Sequence, residues 1–119
     1  MPNICKPDCG WDPDARKVFK IVTAQDLKND AFDLAGITCM EVDLQAESAN
    51  VQIQDFVNMK QGKEYTLVAY NGSGKQLQVL FPSGTTCHNA EITPANGMRI
   101  VYKFFTDGKA IFVNQQIYS

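Results

Sequence analysis

The sequence predicts an all-β domain, an antiparallel sandwich or jelly-roll-like fold of about six to eight strands with one short helix. Three observations predict it. Runs of β-branched, aliphatic and aromatic residues alternate with polar ones at a period of two, which gives each run one apolar face. Turn-forming Gly, Asn and Asp separate these runs at intervals of about 8–12 residues. The chain has 119 residues, 45% hydrophobic and 20% charged, enough for one domain to bury a core without staples.

The clearest stretch runs from Lys63 to Pro82. Tyr65, Leu67 and Ala69 share one side of the first half, and Leu77, Val79 and Phe81 share one side of the second. Asn71-Gly72-Ser73-Gly74 lies between them, which reads as a β-hairpin with a Gly-rich turn.

In chain order, residues 1–14 carry Pro2, Pro7, Pro13 and Gly10. Proline fixes φ and removes a ladder donor, so this segment reads as an extended arm preceding a sandwich domain over 15–119. The arm holds Trp11, the only tryptophan, which either tucks against the domain or docks on a partner. Lys17 to Thr23 reads as a strand. Thr23-Ala-Gln-Asp26 has the form of a capping box, and Leu27, Ala31, Leu34 and Ala35 fall at helical spacing. The spacing predicts a helix near 24–35, stopped by Gly36.

Ile37 to Leu44 alternates, with Met40, Val42 and Leu44 on one face and Cys39, Glu41 and Asp43 on the other. Asn50 to Asn58 reads as a strand that breaks its alternation at Phe56-Val57. Residues 82–97 read as loops or a short edge strand. Met98 to Thr106 puts Met98, Ile100, Tyr102 and Phe104 on one face; Asp107-Gly108 marks a tight turn; Lys109 to Tyr118 returns with Ile111, Val113 and Ile117 on one face.

Composition excludes several functions. The net charge is −2 and no basic run occurs, which argues against a phosphate-binding surface and so against a nucleic-acid partner. The start, Met-Pro-Asn-Ile-Cys, has no apolar h-region, and no apolar run approaches the roughly 20 residues of a membrane span. These features predict a soluble chain made without secretory export, or a mature one. In that setting Cys5, Cys9, Cys39 and Cys87 read first as free, mostly buried thiols.

Four constellations are candidates for chemistry. Cys5-x-x-x-Cys9 with Cys87-His88 could hold a metal, and Cys39 could add a sulfur. Zinc needs four ligands in a tetrahedron, however, and adjacent side chains on an extended segment diverge. A Cys5–Cys9 or a Cys39–Cys87 disulfide is the other use of these sulfurs. A Cys87 or Cys39 nucleophile with His88 lacks any surrounding signature. Asn71-Gly-Ser-Gly-Lys75 is not a phosphate loop, because a strand follows it and Gln76 stands where Ser or Thr is needed. The same residues form the Asn71-Gly-Ser glycosylation sequon, relevant only to a secreted chain. Glu41 and Asp43 share a strand face, but glycosidase chemistry needs two carboxyls facing across a cleft.

From Ala49 to the end, the order of features resembles the small β-sandwich domains of tailed-bacteriophage virion proteins found in head fibres, tail fibres and capsid decoration. The residues carrying this are Gly62-Lys-Glu-Tyr65-Thr-Leu, then Gly74-Lys-x-Leu-x-Val-x-Phe81-Pro82. Asn89, Ile92-Thr-Pro-Ala-Asn-Gly97 and the strand pair turning at Phe105-Thr-Asp107-Gly108-Lys-Ala-Ile-Phe follow. The N-terminal arm is not part of the pattern. The resemblance implies a non-enzymatic structural protein without a cofactor, assembled in the host cytoplasm and resident in the virion. It implies a homo-oligomer, often a trimer, that binds other virion or capsid proteins or a glycan, and no membrane. On that reading Ile4 and Trp11 of the arm dock on a neighbour, and Tyr102, Phe104, Phe112 and Tyr118 are candidates on a sheet face, although core placement is the expectation for most of these rings. A carbohydrate-binding module and a bacterial extracellular β domain are the rival readings.

Overall fold

The computed structural model describes residues 19–88 and 96–118. Its elements are β1 (Phe19–Ile21), α1 (Ala24–Lys28), β2 (Phe32–Asp33), β3 (Cys39–Asp43), β4 (Val51–Gln52), β5 (Phe56–Val57), β6 (Tyr65–Asn71), β7 (Val79–Leu80), β8 (Thr86–His88), β9 (Met98–Thr106) and β10 (Ile111–Tyr118). The fold is all-β and sandwich-like, with more and shorter strands than the sequence predicts. Residues 1–18, and with them Ile4, Cys5, Cys9 and Trp11, lie outside the described residues, as do 89–95 and 119.

The main layer is a six-stranded sheet in the order β1-β3-β6-β9-β10-β8. The β6-β9-β10 centre is antiparallel, as expected, but both flanks are parallel: β1 with β3, β3 with β6, and β8 with β10. The sheet is therefore mixed. Parallel neighbours need a crossover, and here the crossovers form the second layer. α1 and β2 lie in the β1–β3 crossover and β4 and β5 in the β3–β6 crossover; β2 pairs with β5 and β4 with β7, which comes from the connection after β6, in two short parallel ladders.

The stretch from Lys63 to Pro82 is thus not a hairpin. β6 is flanked on both sides by β3 and β9, so no edge remains for β7, which pairs with β4 instead. The Gly-rich segment turns the chain from one layer to the other. Asn71 organises it, fully buried, with its Nδ2 donating to the Lys75 carbonyl at 2.6 Å and its Oδ1 accepting from the Ser73 N–H and hydroxyl. The sequon asparagine is therefore committed to the turn.

α1 starts where the capping box places it. Thr23 Oγ1 accepts from the Asp26 N–H at 3.1 Å, and the Asp26 carboxylate accepts from the Thr23 N–H at 3.0 Å. The helix ends at Lys28, earlier than its spacing predicts, because Asn29 is extended (ψ 161°). Phe32 and Leu34 then give their N–H groups to Asp55 and Val57 at 2.9 Å. Pairing with β5 claims residues that would otherwise complete another helical turn.

The inner face of the sheet packs on the second layer through an aromatic cluster. Phe104 stacks on Phe56 (5.2 Å between centroids) and on Tyr65 (5.5 Å), and meets Phe81 edge-on at 5.0 Å. Phe32 closes the far side of Phe56 at 6.5 Å. Leu67, Ala69, Ile100, Met40 and Val42 complete this face, all buried. Such aromatic pairs add about 0.5–1.5 kcal/mol each beyond their burial. The aromatic residues at core positions of β5, β6 and β9 thus join the two layers into one core.

Candidate functional site

The outer face of the sheet carries no second layer among the described residues, and its side chains form rows that the strand register defines. One row runs Ile21, Glu41, Val68, Val101, Gln116 from β1 to β10. The next runs Asp43, Tyr70, Arg99, Tyr118, with the Arg99 guanidinium 5.2 Å over the Tyr70 ring. On the other side of the first, Cys39, Thr66, Lys103, Asn114 and His88 line up across five strands. Phe105 and Phe112 stack at 5.2 Å beyond that row.

Large apolar side chains are open on this face. Ile21 is 72% exposed, Tyr118 51% and Phe105 41%. A shallow cavity of about 570 Å³ lies along β8 to β10, lined by Glu64, His88, Lys103, Phe105, Phe112 and Asn114 among others. Lys103 and Asn114 are engaged in interactions of their own. The face mixes aromatic rings with groups of both charge signs, which suits contact with another surface better than contact with water alone.

The sequence-predicted residues fall on both sides of the sheet. Tyr118 is on the outer face. Tyr102 is not: it is 1% exposed, and its hydroxyl accepts from the Val79 N–H at 2.9 Å. Its position on the inner register of β9 makes it a core residue and removes it from any docking role. Phe104 is likewise core, whereas Phe112 is half-buried on the outer face. Ile21, Phe105, Val68 and the Tyr70–Arg99 pair were not singled out from the sequence. Their signal was present, because these strands place apolar residues at both phases of the alternation.

Cys39 corrects the free-thiol expectation: it is disulfide-bonded, and so offers no thiolate to a metal or a substrate. Cys87 is the free thiol among the described residues, which excludes the Cys39–Cys87 pairing. Cys87 and His88 diverge, as neighbours on a strand must. Cys87 pairs in register with inner-facing Val113, and His88 with outer-facing Asn114. The thiol lies 3.7 Å from the backbone carbonyl of His88, and partial burial pushes its pKa up, opposite to what a nucleophile needs. No group of three or more His, Cys, Asp or Glu residues is arranged for a metal among the described residues.

The carboxylates are dispersed. Glu41 and Asp43 point outward from β3, and Asp43 is turned to the Gln45 N–H at 2.9 Å. Glu47 pairs with Lys28 at 3.0 Å, and Asp55 accepts from the Phe56 N–H. No helix among the described residues is long and apolar enough to cross a membrane. The chain matches no family model, and no curated protein or solved structure matches it either.

Proposed function

We propose that the chain is a structural component of a tailed-bacteriophage virion, of the capsid-decorating, head-fibre or tail-fibre kind, that works by protein–protein contact and not by catalysis. The observation that carries the contact mechanism is the outer sheet face, where Ile21 and Tyr118 stand open in the rows of Glu41, Asp43 and Arg99, and Phe105 stands open farther along β9. The ordered motifs from Gly62 to Phe112 support the virion setting. Burial of these side chains against a neighbouring subunit would supply the free energy, and the mixed charges would set its orientation. The reading implies a homo-oligomer resident in the virion.

Mass measurement of the purified chain, together with imaging of particles from its source, tests this. An oligomer, or density for the chain on a capsid or fibre lattice, supports the reading. A strict monomer with no partner in its source overturns it.

The stacked Phe105–Phe112 pair supports a second reading, a carbohydrate-binding module, because rings beside Glu64 and Asn114 resemble a sugar platform. A glycan array without hits counts against it.

A further inference from the structure

The second layer stops short of one end of the main sheet. Val113 of β10 and Cys87 of β8 share the inner register, yet Val113 is buried and Cys87 is exposed. A cleft of about 380 Å³ lies there, between β7 with the turn that follows it and the inner side of β8, β9 and β10. The turn is closed by Thr85, whose N–H and hydroxyl both donate to the Pro82 carbonyl, at 3.1 and 2.7 Å. Small-ligand sites span about 300–1,000 Å³, so this one has room for a single ring and not for a chain.

Several groups around the cleft have hydrogen bonds left to make. The Tyr102 ring belongs to the core, and the residue reaches the cleft from that side. Its hydroxyl accepts from the Val79 N–H at 2.9 Å, while its own proton meets no acceptor among the described residues. A buried donor left unmatched costs about 1–3 kcal/mol, which an acceptor in the cleft would recover. Gln52 gives its Nε2 to the Ile53 and Phe81 carbonyls at 2.7 and 3.1 Å, so Oε1 is what it has left to offer. Gln78 and Ser83 also line the cleft, and their side chains make no bond among the described residues. None of the described lining residues is charged. A charged ligand would therefore lie there without a counter-ion, which costs more than hydrogen bonds to neutral groups return.

We propose that this cleft binds one uncharged, hydroxyl-bearing ring, a neutral pyranose, taken as a free sugar or as the end of a glycan. A hydroxyl both donates and accepts. One ring can thus take the Tyr102 proton and give protons of its own to Gln52 Oε1 and the Gln78 amide oxygen. A single amide ligand would satisfy only two of these groups. Phe81 and Pro82 supply apolar surface for the C–H face of the ring. The cleft is on the opposite side of the sheet from the Phe105–Phe112 pair, and the inference depends on neither reading given above.

Amide-resolved NMR titration of the full chain tests it, with glucose, galactose, mannose and N-acetylglucosamine as neutral probes and glucuronate and glucosamine as charged ones. At least one neutral sugar is expected to give saturable shifts at the Val79, Thr85 and Val113 amides. No saturable shift up to about 50 mM, far above the roughly millimolar constant that a few hydrogen bonds support, overturns the proposal. So do shifts confined to Phe105, Phe112 and Asn114, or charged sugars that bind as tightly as neutral ones. Retained binding of the methyl glycoside assigns the site to a glycan end, and its loss to the free sugar. Tyr102→Phe is expected to weaken binding by about three- to tenfold. Because that change also removes a core bond, Gln78→Ala is the second variant; it should weaken binding by about threefold and leave the unfolding midpoint in place. Phe105→Ala should bind as wild type. Wild-type affinity in both Tyr102→Phe and Gln78→Ala overturns the assignment to this cleft.

Discussion

The Val79 N–H donates to the Tyr102 hydroxyl at 2.9 Å inside the core, and this bond ties β7 of the second layer to β9 of the main sheet. The flanking groups of the β4–β7 ladder, Gln78 O and Leu80 O, already accept from Val51 and Ile53. Tyr102→Phe keeps the ring but leaves the Val79 N–H buried without its acceptor. The expected cost is about 1–3 kcal/mol in a denaturant unfolding experiment, with the m-value unchanged. A loss below a few tenths would mean that water replaces the hydroxyl.

The same residue predicts an alkaline limit. Burial raises the Tyr102 phenol well above its ordinary value of 10. The folded state therefore keeps a proton that the unfolded state gives up. The contribution is fully present below pH 10 and is lost as pH rises beyond it. Stability measured from pH 8 to 11.5 should fall in the wild type, and Tyr102→Phe should show a flatter alkaline slope.

The β9–β10 turn predicts an acid limit with the opposite sign. Asp107 Oδ1 accepts from the Ala110 and Lys109 N–H groups, both at 2.9 Å, and these bonds hold its carboxyl below its ordinary 3.8. The Asn58 side chain does the same for Asp33, through a 2.8 Å bond to Oδ1. A depressed folded value contributes stability above 3.8 that is lost as pH falls through it. Asp107→Ala should flatten the acid limb of the stability profile between pH 5 and 2. Gly108 has φ 96°, and an added Cβ would sit 3.1 Å from Gln61, so Gly108→Ala should cost about 1–2 kcal/mol.

This turn was the most legible part of the chain. Asp107-Gly108 is a local signal, and the strands on either side pair with each other. The Lys63–Pro82 stretch carries an equally strong local pattern and folds differently. Alternation in Tyr65–Asn71 tells which side chains are buried, but not which strands lie alongside. β3 and β9 take both its edges, and β3 joins in parallel from far away in sequence. Phe32 read as helix because Leu27, Ala31 and Leu34 share a helical spacing, yet bonds from β5, more than twenty residues away, decide its conformation. The outer face was hidden for a related reason. The central strands carry apolar residues at both phases of the alternation, so Val68 and Phe105 read as ordinary strand residues until the register placed both on the open face.

Asn71 offers a further test of the inter-layer turn. It is fully buried and bonds Lys75 and Ser73 simultaneously. Asn71→Ala removes these bonds and should cost about 1–3 kcal/mol. Ser73→Ala removes only the hydroxyl and should cost less. If the two variants unfold at the same denaturant midpoint, the carboxamide is not what orders the turn.

Phe104 and Phe105 are adjacent in β9 and separate stability from assembly. Phe104 is fully buried and stacks on Tyr65 and Phe56, so Phe104→Ala should cost about 3–5 kcal/mol. Phe105 is on the outer face and loses only its stack on Phe112, so Phe105→Ala should cost about 1 kcal/mol or less. If the outer face is the contact surface, Phe105→Ala and Tyr118→Ala should each weaken self-association or partner binding while leaving the unfolding midpoint nearly in place. Light scattering over a concentration series, paired with thermal unfolding of the same samples, reads both effects. Unchanged association in the Phe105→Ala, Tyr118→Ala double variant would place the contact elsewhere on the molecule, and the exposed rings would then need another partner.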